Sequence, residues 1–151
     1  MSKRRSNRWI FAVLAWIFVI FFSSTSLAAA WADAAFEFVA GFFWGEMRPD
    51  SGSYGLIHLL ADKSFHVALF CILAILLWKA LAPGSGKIPA ILLAGAVVGS
   101  CSEILQAFFP GRDPAIHDVL INIVGTAVGT LLSRVVSKAS VEKQPACGYI
   151  Q

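Results

Sequence analysis

The residues with chemical potential are Asp62-Lys63-x-x-His66, Glu103-x-x-Gln106, Arg112 and Asp118-x-x-x-Asn122, all set into strongly apolar sequence. They comprise three carboxylates, two cations, an imidazole and two carboxamides. Such a set can grip an anion through the donor fork of arginine. Histidine or a carboxylate within it can take up a proton. Its members can also simply neutralise one another in a buried network. Spacings of three or four residues place each group on one face of a helix. Glu103 and Gln106 precede the turn Pro110-Gly111-Arg112-Asp113-Pro114, and Asp118 and Asn122 follow it. Two polar faces therefore approach one short turn.

The surroundings of these residues are those of a membrane chain. Its 151 residues suffice for one domain. Hydrophobic residues make up 58% of it, above the roughly 45–50% of soluble proteins, and mean hydropathy is +0.73. Twelve phenylalanines and five tryptophans exceed what a small soluble core could bury. Three cysteines at wide spacing exclude a disulfide framework. Cys71 and Cys101 in apolar runs and Cys147 in a polar stretch read as inert thiols. No cofactor and no nucleic-acid partner is expected. The lipid bilayer is the expected surrounding, and the oligomeric state is left open.

The elements that must position the polar residues follow from apolar run lengths, since a spanning helix takes about 20 residues. The expected fold is all-α, with four transmembrane helices at about 9–28, 62–81, 88–109 and 114–136. Residues 1–8 form a basic cytoplasmic N-terminus carrying Lys3, Arg4, Arg5 and Arg8. Trp9 to Phe22 followed by Ala28-Ala29-Ala30 fits either a cleaved signal peptide or a retained helix. The retained helix is preferred. Segment 31–60 mixes aromatic residues with Asp33, Glu37, Glu46, Arg48 and Asp50. It fits a short interfacial helix or a loop over the bundle mouth, with Pro49 to Ser53 as a turn cluster. Pro89 suits the first turn of the third helix, and Asp113 suits the N-cap of the fourth. Ser137 to Gln151 reads as a disordered cytoplasmic tail.

Basic residues near helix ends orient the chain. Lys3, Arg4, Arg5, Arg8, Lys79, Lys87, Arg134, Lys138 and Lys143 fall on one side, leaving Arg48, Lys63 and Arg112 on the other. Both termini are expected inside (N-in/C-in), with segment 31–60 and the turn at 110–114 outside. At ~1.5 Å per residue, His66 lies about 6 Å inward from Asp62, Glu103 about 9 Å from Phe109, and Asp118 about 6 Å from Pro114. An ionisable group in hydrocarbon costs roughly 2.5–3.5 kcal/mol on insertion scales. These side chains should therefore face one another or a watery pocket. Gly95 and Gly99 share a face with Glu103 and Gln106, and Gly125 and Gly129 share one with Asn122 and Asp118. Small residues at this spacing allow close backbone approach. They predict a tight outer hairpin between the third and fourth spans.

Two functions remain open on these residues. Asp62, Lys63, His66, Glu103, Arg112 and Asp118 can line an outward pocket for a polar or phosphorylated head group, with Gln106 and Asn122 completing it. Alternatively, Lys63 or Arg112 neutralises Glu103 and Asp118, and the network only locks the helices in a structural or assembly subunit. A metal site from His66, Glu103, Asp118 and His117 has no supporting motif, and none is expected. His58 and His117 read as interfacial residues. Ser100 and Ser102 flank Cys101 without a nucleophile motif, and transport lacks a broken-helix pattern. Whether any catalysis occurs is not decided by these residues.

The pattern Asp62-Lys63-x-x-His66, Glu103-x-x-Gln106, Pro110-x-Arg112 and Asp118-x-x-x-Asn122-x-x-Gly125-x-x-x-Gly129 resembles that of VanZ-like membrane proteins. Phe21-Phe22-Ser23-Ser24 is also similar to that family, and the likeness covers about residues 9 to 134. The resemblance implies a four-helix bacterial membrane domain over 9–136, with the first helix retained, in the cytoplasmic membrane. It also implies a place in the cell envelope and a link to glycopeptide resistance, which is associated with the family's founding member.

Overall fold

The computed structural model describes residues 2–44, 52–112 and 114–142, with side chains described over 7–43, 52–112 and 114–140. It holds five helices: α1 (Ser2–Ser23), α2 (Ser26–Trp44), α3 (Gly52–Ala80), α4 (Lys87–Gln106) and α5 (Ile116–Glu142). Four of them, α2 to α5, contain stretches long and apolar enough to cross a membrane, while the apolar part of α1 is the shorter run Asn7–Ser23.

Local chemistry explains the helix ends. α1 stops where Ser23 and Ser24 turn their hydroxyls onto the Ile20 carbonyl, at 2.7 and 3.2 Å. Thr25 then accepts from the Ala28 N–H at 3.3 Å, an N-cap bond that starts α2. α3 ends before Pro83-Gly84, and Pro89 sits in the first turn of α4, where its missing N–H has no helical partner to lose. α4 closes ahead of Pro110, and Gly111 takes φ +75° in the connection to α5. That backbone conformation suits glycine.

α3 is the central helix and forms its largest interface with α5, then with α1 and α4. Its buried residues His66, Leu69, Phe70, Leu73 and Ala74 recur at helical spacing. Around them gather Val13 and Ile20 of α1. Trp16 donates its indole N–H to the Leu69 carbonyl at 2.8 Å. Contacts at both ends fix the relative directions. At one end Lys79 lies over the Trp9 ring, Lys87 lies over the Trp78 ring, and Trp78 donates to Ser137 Oγ at 3.0 Å. At the other, α3 meets α5 through Lys63 and Asp118. α1 thus runs antiparallel to α3, and α5 runs parallel to it.

The glycines allow the close approaches. A methyl group at Gly95 would overlap the Thr126 side chain, and one at Gly99 would lie 3.2 Å from Asn122 Cβ. These bring α4 against α5. Gly125 and Gly129 face elsewhere, since a methyl there would press on the α3 backbone at Val67 and Cys71. The second glycine stripe therefore serves α3 and not α4. Spacing specifies the face of a helix, but the neighbour depends on how the bundle closes.

Several boundaries differ from the sequence expectation. In segment 31–60 the described residues are helical and form no loop: α2 runs through 44 and α3 begins at Gly52. Asp62 and Lys63 suggested a helix start, but charges mark a change of environment and do not interrupt backbone hydrogen bonding. The first helix ends at Ser23 instead of 28, the third span at Gln106 instead of 109, and the last helix starts at Ile116 instead of 114. Residues 137–142 continue α5 instead of beginning a disordered tail. Asp113 as an N-cap, Glu46 to Asp50, and the tail from 143 onward lie outside the described residues.

Candidate functional site

The polar residues singled out by spacing converge where α3, α4 and α5 meet the 107–115 connection. Lys63 reaches across from α3, its Nζ 2.6 Å from Asp118 Oδ1 and 3.2 Å from Asp62 Oδ2. One ammonium thus bridges two carboxylates. His117 Nε2 also lies 3.4 Å from Asp118 Oδ1, although its ring is exposed. One turn further along α3, His66 Nδ1 faces Asn122 Oδ1 at 3.2 Å, both residues being buried. The donor and acceptor roles follow the imidazole tautomer, and Asn122 Nδ2 is buried with no partner among the described residues.

Glu103 is held differently. Gln106 donates to its Oε1 at 3.3 Å, and the Ala115 backbone N–H donates to its Oε2 at 3.2 Å. The second bond ties α4 to the residues entering α5 and satisfies a donor ahead of that helix. Among the described residues no lysine or arginine pairs with Glu103. The sequence alternative in which Arg112 or Lys63 neutralises both Glu103 and Asp118 is met only at Asp118.

Arg112 stands apart. Its backbone N–H bonds to the Phe109 carbonyl at 3.3 Å. Its guanidinium has no hydrogen-bond or ion-pair partner among the described residues, and its Nε is buried. The side chain lines a cavity of about 200 Å³ together with Asp62 and His66. The remaining wall is largely apolar, including Val19 and Phe22 of α1, Trp31 of α2 and Phe65 of α3. Ser26 Oγ donates to the Pro110 carbonyl at 2.7 Å, joining the α1–α2 turn to the segment that carries Arg112.

A second concavity of about 390 Å³ lies between α4 and α5, with Glu103 and Ala115 among apolar residues such as Ile104, Phe108 and Val119. A third, of about 190 Å³, is lined by Asp33, Phe36, His58 and Asp62. There His58 Nε2 lies 3.0 Å from Asp33 Oδ1, and Phe36 packs edge-on against the His58 ring. These contacts tie α2 to the first turns of α3.

All eight sequence-selected polar residues therefore lie in this region, through Lys63–Asp118–Asp62, His66–Asn122, Glu103–Gln106 and the Arg112 cavity. Sequence reasoning missed Thr126, Thr130 and Ser133, which are also buried, and it named Ser24 and Ser102 without placing them among the buried polar residues. Thr126 and Thr130 donate to the carbonyls four residues back, at 2.8 and 2.7 Å. Their spacing from Asn122 was the available signal. Among the described residues no three of histidine, cysteine, aspartate and glutamate gather in a metal-binding group.

A family model described as VanZ/LLP1 matches residues 9–137. The chain belongs to the VanZ/LLP1 family. No curated protein and no solved structure gave a match. The match runs from α1 well into α5, so every polar residue described above lies inside the VanZ region. With its four long apolar helices, this VanZ-family chain is a multi-pass membrane protein.

Proposed function

We propose that this protein resides in a bacterial cytoplasmic membrane and binds the polar head group of a cell-wall or lipid precursor at its outer face. The observation that carries the reading is Arg112, a guanidinium without a protein partner beside Asp62 and His66 in a cavity with apolar walls. An unpaired cation in such a place is costly, and an anionic ligand would compensate it.

The outward orientation rests on charge. Lys79 and Lys87, with the aromatic rings of Trp9 and Trp78, occupy the end opposite the cavity, and basic residues gather on the cytoplasmic side of membrane proteins. Both termini are then inside, and the 107–115 connection forms the outer hairpin between α4 and α5. Through its family, the protein is a candidate contributor to glycopeptide tolerance.

A structural role is the second reading, favoured by the Lys63–Asp118 and Glu103–Ala115 bonds, which join neighbouring elements with no ligand required. Expression in a glycopeptide-sensitive bacterium separates the two. Arg112→Gln should abolish any gain in teicoplanin tolerance at unchanged membrane abundance. Parallel loss of tolerance and abundance would assign Arg112 to assembly, and full tolerance in the variant would remove the ligand site.

A further inference from the structure

The cavity beside Arg112 has a shape and a charge that specify more than a polar head group. The partners of the charged groups around it can be named. Lys63 is shared between Asp62 and Asp118. Glu103 is occupied by two hydrogen-bond donors. His66 spends Nδ1 on Asn122. Arg112 alone among these groups has no partner in the described residues. Asp62 is the carboxylate on the cavity wall, and it shares the Lys63 ammonium with Asp118.

The rest of the wall is apolar, and its members reach the outer surface of the bundle. Phe22, Trp31 and Phe65 line the cavity while remaining substantially exposed. In a bilayer those exposed rings meet lipid, so the cavity opens sideways to the acyl region and not only to water. Tryptophan at such a depth is at home beside head groups. A cation facing an opening of this kind is matched to an amphiphile with an anion at the head of an apolar chain.

From this we infer that the cavity binds a lipid-borne phosphate, with the Arg112 guanidinium on the phosphate oxygens and Phe22, Trp31 and Phe65 against the first part of the chain. The inference rests on the head-group reading above and names its ligand class. The planar donor fork of arginine fits two phosphate oxygens at once, and His66 lies on the same wall. Free phosphate shares the head chemistry but lacks the chain, so the two sources can be separated.

The test uses the full-length protein in a non-ionic maltoside detergent, titrated with dodecyl phosphate, dodecanol and inorganic phosphate and read by thermal shift. Dodecyl phosphate should stabilise saturably, with at least tenfold higher apparent affinity than either of the other two. Arg112→Gln should lower that affinity at least tenfold while leaving the weak response to dodecanol unchanged, and Arg112→Lys should retain part of it. Equal responses to dodecanol and dodecyl phosphate would overturn the phosphate assignment alone. Equal responses to inorganic phosphate would overturn the lipid source. No response to any of the three would remove the head-group reading along with it. The wild-type comparison stands even if the glutamine variant fails to fold.

Discussion

The Lys63 ammonium of α3 lies 2.6 Å from the Asp118 carboxylate of α5, with the aspartate buried and the lysine half-buried. It joins the two helices that share the largest interface in the bundle. Removing Lys63 strands buried Asp118 in a setting that solvates charge poorly, whereas removing Asp118 leaves Lys63 its Asp62 partner. Lys63→Met should therefore lower stability by about 3 kcal/mol, the lower end of the range for breaking a buried pair, and Asp118→Leu by less. The double variant should recover most of that loss. Unfolding in detergent, run as a double-mutant cycle, checks this, and additive losses would show that the pair is not coupled.

Gly129 sets the distance between α5 and α3. A methyl group there meets the Cys71 carbonyl and lies 2.9 Å from Ala74 Cβ, and a backbone carbonyl cannot rotate away. Gly129→Ala should cost about 1–3 kcal/mol through overpacking. Gly41→Ala is the control, since nothing lies within 4 Å of that position. Comparing monodisperse yield and melting temperature of the two variants decides the matter, and equal behaviour would contradict the close packing.

Glu103 serves as an acceptor for the Gln106 side chain and the Ala115 N–H. Glu103→Ala strands both donors and should cost roughly 1–3 kcal/mol. Glu103→Gln keeps one amide oxygen as an acceptor and should cost less. Amide hydrogen exchange around Ala115 gives the local readout: protection should fall in the alanine variant and be largely kept in the glutamine variant. The same loss in both would mean that the negative charge, and not the acceptor, is what matters.

The proposed orientation places residues 81–86 inside and 107–115 outside. In a background with Cys71, Cys101 and Cys147 replaced by alanine, Ser85→Cys should resist an impermeant maleimide on intact cells, and Ala107→Cys should react. Both positions are exposed in the fold. The reverse pattern would invert the protein and move the Arg112 cavity to the cytoplasmic side.

Much of the polar cluster was legible in the sequence because charge and amide groups are rare in apolar runs. His66, Glu103, Asp118 and Asn122 each stand out at helical spacing, and burial of such groups calls for partners. Which partner each finds was not legible. Arg112 and Glu103 form a natural pair on paper, yet Glu103 is taken by a backbone N–H while Arg112 turns to the cavity. Thr126 and Thr130 escaped notice because a hydroxyl bonded to its own helix looks the same in sequence whether buried or exposed. α2 was hidden for a related reason: Asp33 and Glu37 break its hydropathy without breaking its backbone. The Asp33–His58 contact that places Asp33 beside α3 spans 25 positions, beyond the reach of local pattern.

The separation between Lys63 and Asp118 has a consequence for how the protein is made. Their side chains meet across 55 positions of sequence. At about 5–20 residues per second, synthesis leaves roughly 3–10 s between the appearance of the lysine and that of its aspartate. During that interval the Lys63 ammonium has only Asp62 of its own helix as a partner. Assembly of the cluster is then timed by the arrival of α5.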